Sequence, residues 1–377
     1  MKRVAIFHPV DDRYGASNIL AYVLTFLNEK YVCDIYIPIL TGEIKKTFSD
    51  NAVNMEQVNF IEFKKLPVAH RKMYSFRGLL AWVSQNINTF ELIRKNKIKY
   101  DLFYINTVAL FSVSLLCKLL RVKNIVHCHE YLKGSFYGNV IRNVVLACAN
   151  KVICVSKCVA NYIGESDKIE VVHNGIPDLN QNFEVSSDHR DVQLLHIAMI
   201  GRIMPEKGQW FLCDAVKTIP SRYQKKIKIH VFGDAPPTRK YLFDELNSYI
   251  LDNSLDHVFV MHGFDPMASK KAMEMDVFMI PSIMVDPFPT TVLEGLSAGK
   301  ILVTTNNGGS TEIIDDGING FKVTPGDTSM LSEKIIKIID MTSTERQVIQ
   351  KEARASYLKS FTLSKFKDRF MSVLSNT

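Results

Sequence analysis

Apolar residues occur along this chain in short runs, separated by longer stretches with helical periodicity. In the first half, "ASNILAYVLTFLNEK" is typical of the helical stretches. The β-rich runs of this half read "RVAIFHPV", "VCDIYIPIL", "DLFYINTVALF", "NIVHCHE" and "KVICVS". Short apolar strands that alternate with helices favour a parallel sheet with crossover helices.

The same pattern then restarts in the second half. Its β-rich runs read "LLHIAMIGRI", "KIKIHVFGD", "HVFVMHGF", "VFMIPS" and "ILVTTN", and "PTRKYLFDELNSYIL" is one of its helical stretches. The polar run "PDLNQNFEVSSDHRD" between the two blocks has the composition of a linker. We therefore predict an α/β protein with two doubly wound, Rossmann-like domains, at 1–180 and 190–355.

The composition agrees with two globular domains. The chain has 377 residues, of which 47% are hydrophobic and 23% charged. Uncharged apolar runs stay shorter than the roughly 18 residues that a transmembrane helix needs, and the start "MKRVAIFHPVDD" reads as a first strand. Seven cysteines scattered singly do not form a disulfide framework. These features predict a cytoplasmic protein.

Charge is distributed unevenly between the two halves. Residues 1–180 contain 23 Lys and Arg against 15 Asp and Glu, whereas the remaining residues contain 23 against 24. The basic first half suggests an anionic partner, either a membrane surface or a phosphate-bearing acceptor.

Polar motifs follow several of the predicted strands, where open α/β sheets bind their ligands. Gly15 in "YGAS" lets a backbone approach a ligand, although a single glycine at a turn is more often structural. In "GRIMPEKGQ", Arg202 and Lys207 can clasp a diphosphate, the first by its fork and the second as a point charge. The alternative for this motif is a solvated turn with an incidental pair between Glu206 and Lys207.

Histidines and cysteines provide a further candidate. His129 lies at the tip of "NIVHCHE" and faces the expected ligand site, although a lone histidine is usually a hydrogen-bonded structural residue. Neither Cys154 with Cys158 nor the run "HCH" at 127–129 has the paired spacing of a zinc site, so we expect no metal centre.

The stretch "VDPFPTTVLEGLSAGK" carries two carboxylates eight positions apart, Asp286 and Glu294. Pro289 at the entry and Gly299 beyond the end predict a helix over 290–298, whose N-terminal amides form an anion site. A structural alternative for Glu294 is a capping box with Thr291.

The nearby run "NNGGSTEII" predicts a second helix start, capped by Ser310 or Thr311, and we leave Glu312 outside the site. A well-capped helix is the favoured interpretation of this run over direct ligand contact.

These motifs occur together in a recognisable order. "HNGI", "GRIMPEKG", "PSIMVDPFPTTVLEGLSAGK" and "TTNNGGSTEIIDDGINGF" resemble those of the retaining glycosyltransferases of family 4, which have the GT-B fold. The resemblance implies two Rossmann-like domains facing a cleft, an acceptor domain followed by a donor domain, and a C-terminal helix at 360–377 that packs back on the first. It also implies transfer of a hexosyl unit from a nucleotide-diphosphate sugar to a glycan or lipid-linked acceptor, in the biosynthesis of a surface polysaccharide such as O-antigen or capsule.

The same resemblance assigns roles to the polar residues of the second domain. Glu294 would hold the ribose hydroxyls, and Asp286 would contact hydroxyls of the transferred sugar. Arg202 and Lys207 would bind the diphosphate and balance the charge that develops on it, which removes the need for a metal or another cofactor. In the first domain, His129 would line the sugar pocket and Gly15 would belong to a glycine loop.

Two positions depart from the family pattern. Asp286 replaces the usual glutamate and is one methylene shorter. Pro289 replaces a common glycine and removes one backbone donor. The phosphates would therefore contact the amides or hydroxyls of Thr290 and Thr291.

Three other classes of protein share parts of this pattern. A nonhydrolysing nucleotide-sugar epimerase would bind the same donor, a pyridoxal-dependent phosphorylase would need a Schiff-base lysine, and a non-catalytic subunit would only bind the nucleotide sugar. Nothing in the chain points to nucleic acid as a partner.

The segment "EFKKLPVAHRKMYSFRGLLAW" at 62–82 interleaves cations with aromatic and aliphatic residues. Such a segment can lie among anionic headgroups, so it predicts peripheral attachment at the inner face of the cell membrane. The alternative is an ordinary loop and helix whose apolar side packs on its own domain.

Overall fold

The computed structural model describes residues 2–13, 15–69, 75–132, 136–180 and 194–377. Within these ranges the chain forms two compact units. The first comprises Met1–Asn174 together with Leu363–Thr377, and the second comprises Gly175–Thr362. Tyr14 of the "YGAS" motif and the greater part of the proposed linker, 181–191, lie outside the described residues.

The first unit is built around a parallel sheet with the strand order β3-β2-β1-β4-β5-β6-β7. Its strands are β1 Lys2–Phe7, β2 Tyr31–Ile37, β3 Val58–Glu62, β4 Leu102–Ile105, β5 Asn124–Cys128, β6 Lys151–Cys154 and β7 Ile169–Val171. Its helices are α1 Gly15–Leu27, α2 Glu43–Asp50, α3 Phe76–Asn96, α4 Phe111–Leu119, α5 Phe136–Cys148, α6 Lys157–Ile163 and α15 Leu363–Ser375.

The second unit has a parallel sheet with the strand order β10-β9-β8-β11-β12-β13. Its strands are β8 Leu195–Ile200, β9 Ile227–Phe232, β10 Phe259–Gly263, β11 Val277–Ile280, β12 Ile301–Thr305 and β13 Phe321–Val323. Its helices are α7 Gln209–Thr218, α8 Ser221–Gln224, α9 Tyr241–Asp252, α10 Ala268–Ala272, α11 Thr290–Ser297, α12 Ser310–Ile313, α13 Thr328–Asp340 and α14 Ser343–Ser360.

Both sheets have the doubly wound, Rossmann-like topology that the sequence predicts. In each, the strand order reverses after the first strand, so a switch point lies between β1 and β4 in the first unit and between β8 and β11 in the second. Ligands of open α/β sheets bind outside the carboxyl ends of the strands at such points. The fold therefore offers one candidate ligand site in each unit.

The last helix, α15, packs on the first unit through its aromatic face. Phe366 and Phe370 are fully buried, and the Phe366 ring meets the Phe26 ring of α1 edge-on at 5.3 Å between centroids. The C-terminal segment thus completes the core of the first unit.

An ion pair anchors the segment that begins the second unit. Arg354 of α14 donates from Nη1 and Nη2 to the two carboxylate oxygens of Asp178, at 2.7 and 2.6 Å, and also to the carbonyl of Ser297 at the end of α11. The guanidinium lowers the pKa of Asp178. One side chain therefore joins this segment, α11 and α14.

The basic segment at 62–82 contains both packed and exposed apolar side chains. Leu66 is buried and the Trp82 ring stacks on Phe111, so these two side chains pack within the unit. Phe76, by contrast, is 77% exposed. It begins an exposed apolar stripe on α3, which comprises Phe76, Leu79, Leu80, Val83 and Ile87. The cations Arg71 and Lys72, with Met73 and Tyr74, lie outside the described residues.

Among the helices of the described ranges, none is both long and apolar enough to cross a membrane.

Candidate functional site

An ion pair lies at the carboxyl ends of β8 and β11, at the switch point of the second unit. Lys207 donates from Nζ to Oδ2 of Asp286 at 2.8 Å, although 79 positions separate the two residues. A lysine ammonium carries three donors, so two remain for further oxygen acceptors. The alternative interpretation, an ion pair between Glu206 and Lys207, is wrong. Oε1 of Glu206 lies 3.9 Å from Nη1 of Arg239 instead.

The backbone joins the same two loops. The carbonyl of Glu206 accepts hydrogen bonds from the amides of Ile283 and Met284, at 2.9 and 3.1 Å. Gly208 adopts a φ of 89°, and a Cβ there would overlap the carbonyl oxygen of Pro281. Only glycine suits this position, because both the backbone angle and the close approach exclude a side chain.

A third loop, after β12, packs against the backbone of the loop that carries Asp286. The amide of Gly309 donates to the carbonyl of Asp286 at 2.8 Å, and a Cβ at Gly308 or Gly309 would overlap the backbone of 286–288. The predicted caps of α12 are wrong: Gly309 occupies the cap position and no side chain caps the helix. Gly308 and Gly309, which precede this helix, instead let the loop pack closely against the backbone around Asp286.

Glu294 lies in α11, one turn beyond the start of the helix. Its Oε2 accepts a hydrogen bond from the hydroxyl of Ser269 at 2.8 Å, and burial raises the pKa of its carboxyl. The capping-box interpretation is wrong, because the cap position belongs to Pro289 and Thr291 is already within the helix. Glu294 therefore does not cap α11, which was the structural alternative to a role in ligand binding.

Thr290 and Thr291 are the first two residues of α11, which begins after Pro289. The first amides of a helix have no intrahelical partner and favour anions. Both threonines are half-buried, and they follow the loop that carries Asp286.

Arg202 lies two residues beyond the end of β8 and is half-buried. Its carbonyl accepts a hydrogen bond from Nε2 of the buried Gln209 at 2.9 Å, which fixes the backbone of the loop. The second unit thus carries Arg202, Lys207, Asp286 and Glu294 on loops and a helix next to one switch point.

His129 and Gly15 belong to the first unit. His129 follows β5, and its Nε2 lies 3.2 Å from Oδ1 of Asn106. Burial and the neighbouring His8 lower the pKa of His129 to about 3, so the ring is neutral at physiological pH. At Gly15, a Cβ would meet no atom of the described chain within 4 Å, so the fold itself does not require glycine there.

Sequence reasoning missed four polar residues near these positions. Asn106 follows β4, His8 follows β1, and Ser17 and Ser269 bond to other polar side chains. For Asn106 and His8, the available signal was their place just after strands at the switch point, where a single polar residue matches no motif. Ser17 and Ser269 lie within α1 and α10, and Ser17 is the last residue of "YGAS".

The cysteine and histidine run at 127–129 is largely internal. Cys128 and Cys154 are neighbours on β5 and β6, and both are fully buried. Across the described ranges, no group of three or more His, Cys, Asp or Glu side chains has a geometry that could hold a metal ion.

Comparisons with known proteins identify two family models. Residues 185–356 match the model described as glycosyl transferases group 1, and residues 42–178 match that of glycosyltransferase family 4. Together the two matches cover more than four fifths of the chain. Because both models are of glycosyltransferases, they do not favour the epimerase alternative.

Proteins of similar sequence are also named as glycosyltransferases, but they align with this chain over only part of their length. An uncharacterised glycosyltransferase of Methanocaldococcus jannaschii is 26% identical over 60% of this chain and 61% of its own. The capsular polysaccharide biosynthesis glycosyltransferase CapM of Staphylococcus aureus is 25% identical over 65% of this chain and 66% of its own. The chain thus spans about three fifths to two thirds of the length of these relatives.

A solved structure covers the whole chain. The Anabaena protein HepE in complex with UDP aligns over 100% of both chains with a TM-score of 0.80 at 21% identity. HepE has also been solved with UDP-glucose, with the same TM-score at 20% identity. At 20–21% sequence identity, this structural similarity shows that the two proteins share a fold.

Proposed function

This chain belongs to the family 4 glycosyltransferases with the GT-B fold, and we propose that it transfers a hexosyl unit from a nucleotide-diphosphate sugar to a glycan or lipid-linked acceptor. The observation that carries the proposal is the pairing of Lys207 with Asp286 at the switch point of the second unit, where three loops hold each other in place. By its likeness to CapM, the product would be a surface polysaccharide.

The proposed chemistry relies on fixed charges. As the bond between the anomeric carbon and the phosphate oxygen breaks, negative charge grows on the leaving diphosphate. Arg202, Lys207 and the N-terminal amides of α11 would stabilise that charge without a metal ion. Transfer would proceed with retention of the anomeric configuration, as the resemblance to the retaining enzymes implies.

Glu294 and Asp286 would supply recognition. A carboxylate accepts two hydroxyl hydrogens at once, which suits the vicinal hydroxyls of a ribose. Glu294 would hold the ribose, and Asp286 would contact the transferred sugar while its other oxygen faces Lys207. HepE binds UDP-glucose, so this donor is the first to test.

The test is transfer of a labelled sugar from a panel of UDP, GDP and dTDP sugars to lipid-linked and oligosaccharide acceptors, in excess chelator. We expect one donor to support turnover and its product to keep the anomeric configuration of the donor in NMR spectra. Inversion would contradict the retaining mechanism, a strict metal requirement would contradict the charge argument, and isomerisation without transfer would favour the epimerase.

Peripheral attachment to an anionic membrane is proposed for the first unit. The apolar stripe of α3 supports it, because Phe76 and Ile87 are 77% and 60% exposed at helical spacing. Lys64, Lys65 and Arg77 are exposed close to it in sequence. A lipid-linked acceptor would place the enzyme at the cytoplasmic face of the membrane.

Vesicle sedimentation tests this attachment. We expect binding to anionic vesicles that weakens at high salt and is lost in a variant with Leu80→Ser and Ile87→Ser. A matched control is Val348→Ser on α14, an exposed apolar residue of the second unit. Equal binding of neutral vesicles, or no binding at low salt, would contradict the proposal.

A further inference from the structure

Three polar side chains form a hydrogen-bonded row at the carboxyl ends of β1, β4 and β5 in the first unit. Nδ2 of Asn106 lies 3.0 Å from Nδ1 of His8, and Oδ1 of Asn106 lies 3.2 Å from Nε2 of His129. His8 and Asn106 are fully buried, whereas His129 is only half-buried. The row runs from the interior of the unit to its surface at the switch point.

The carboxylate of Asp12 determines which groups donate and which accept at the His8 end of the row. The Ser17 hydroxyl donates to Oδ1 of Asp12 at 2.6 Å, and a carboxylate oxygen only accepts. Ser17 has therefore used its proton, so its oxygen must accept from Nε2 of His8 at 3.1 Å. A neutral His8 that carries its proton on Nε2 has a lone pair on Nδ1, which faces Asn106.

The orientation of the Asn106 amide follows independently. Its Nδ2 also reaches the backbone carbonyl of Ala16, at 3.5 Å, and a carbonyl can only accept. The nitrogen must therefore lie on the side of His8 and Ala16, and the oxygen on the side of His129. The Tyr104 hydroxyl lies on the side of Oδ1, at 3.3 Å from it and 2.5 Å from Nδ1 of His127.

His129 is fixed as a consequence. Oδ1 of Asn106 has no proton to give, so Nε2 of His129 must carry one and donate it. Burial lowers the pKa values of both His8 and His129 to about 3, so both rings are neutral near pH 7 and each carries a single ring proton. Nδ1 of His129 is then an acceptor, and none of the described residues donates a hydrogen bond to it.

We infer that Asn106 is a positioning residue, which holds His129 as the Nε2–H tautomer so that Nδ1 accepts a hydrogen bond from a hydroxyl group of the sugar substrate. The inference rests on the proposed function for the identity of the substrate. It adds a rule of selectivity: the group facing Nδ1 must donate, so a hydroxyl is accepted there and a carboxylate or phosphate oxygen is rejected.

The surroundings of the row contain several other titratable groups. These are Asp11, Asp12, Tyr104, His127 and Glu130. The His127 ring lies 4.0 Å from that of His129, and burial lowers its pKa well below the ordinary value. Glu130 accepts from the amide of His129, so it holds the backbone and leaves the ring nitrogens of His129 to Asn106 and the substrate.

The direct test is the tautomeric state of His129, read from ring ¹⁵N shifts of the full chain labelled with [¹⁵N]histidine. The chain has 10 histidines, so the signals are assigned from spectra of His8→Gln and His129→Gln variants. We expect a protonated Nε2 and an unprotonated Nδ1 in both His8 and His129 at pH 7. A protonated Nδ1 or a charged ring in His129 would overturn the inference. The measurement needs no substrate, so it stands apart from any failure of the proposed function.

Kinetics of Asn106→Asp supply the second readout. A carboxylate there cannot donate to His8, and its charge favours protonation of both neighbouring rings. We expect kcat/KM to fall by roughly 10- to 100-fold, with a new ionisation between about pH 5 and 8. The matched control is Asn124→Asp, a buried asparagine at the opposite end of β5. An unchanged pH profile in Asn106→Asp, or the same new ionisation in Asn124→Asp, would overturn the inference.

Discussion

At the scale of single residues, the Lys207–Asp286 pair determines how the second unit would receive a charged donor. Each side chain partly neutralises the other, so neither is an isolated charge beside the switch point. A diphosphate that approaches Lys207 meets an ammonium already oriented by Asp286. Orientation in advance lowers the entropy cost of binding.

A double-mutant cycle with Lys207→Met and Asp286→Asn measures this coupling. Because both side chains are only partly buried, we expect an interaction energy in unfolding of about 1 kcal/mol. Nucleotide-sugar affinity should fall in Lys207→Met by tens of fold or more, while both single variants stay folded. Additive effects on both unfolding and donor binding would show that the pair is not coupled.

Glu294 predicts a pH dependence of donor binding. Burial raises the pKa of this carboxyl, and only its charged form accepts two hydroxyls. As the pH falls through the raised pKa, the carboxyl takes up a proton and affinity for the nucleotide should decrease. Calorimetric titration between about pH 8 and 5 measures the effect. A similar decline in Glu294→Gln would assign the pH dependence to another group.

At this scale the sequence located Lys207, Asp286 and Glu294 through their motif, and the structure brings the first two together. It did not locate Asn106. An asparagine after a strand has no spacing to mark it, and its importance depends on partners nearly 100 positions away, such as His8.

At the scale of elements, glycines determine how closely the loops of the second unit approach each other. Gly208→Ala would place a Cβ against the carbonyl of Pro281 and strain a positive φ, so we expect destabilisation by about 2 kcal/mol or more. Gly15→Ala is the matched variant, because the structure has room for its Cβ. It should keep the melting temperature and lose activity if a ligand approaches there. Equal melting temperatures for both variants would refute the close-packing argument.

The Asp178–Arg354 pair predicts a pH-dependent contribution to stability. The pKa of Asp178 is lowered in the folded state, so the contribution is present above the ordinary aspartate pKa and is lost as the pH falls through the lowered one. We expect Arg354→Ala to cost about 1–3 kcal/mol at pH 7 and less in acid. Lys351→Ala, an exposed cation of the same helix, should be nearly neutral in thermal denaturation. A cost that is the same at both pH values would contradict the role of the pair.

The strands that the sequence pattern did not predict all lie at the edges of the two sheets. β3, β7 and β13 each lie at an edge of their sheet and contain charged or polar residues, as in "VNFIE" and "IEV". An edge strand has one neighbour and a solvated side, so it needs no continuous apolar run. The inner strands, buried on both faces, were predicted. β10 is also at an edge, and its apolar "FVM" explains why it was found.

At the scale of the whole molecule, one topology occurs twice with different polar groups at the switch point. The first unit places neutral histidines and an amide there, whereas the second places cations and carboxylates. Neutral hydrogen-bonding groups suit hydroxyls, and cations suit phosphates. The polar groups of the second unit therefore suit the diphosphate of the proposed donor, and those of the first unit suit hydroxyl groups.

The measurement that tests the central claim most directly is calorimetric titration of the full chain with UDP, GDP and dTDP in excess chelator. We predict binding of one of the three, weakened by roughly 30-fold or more, or about 2 kcal/mol, in Glu294→Gln. Glu352→Gln, an exposed glutamate of α14, should leave the affinity unchanged. Binding that Glu294→Gln does not alter, or no binding of any of the three nucleotides, would contradict the account.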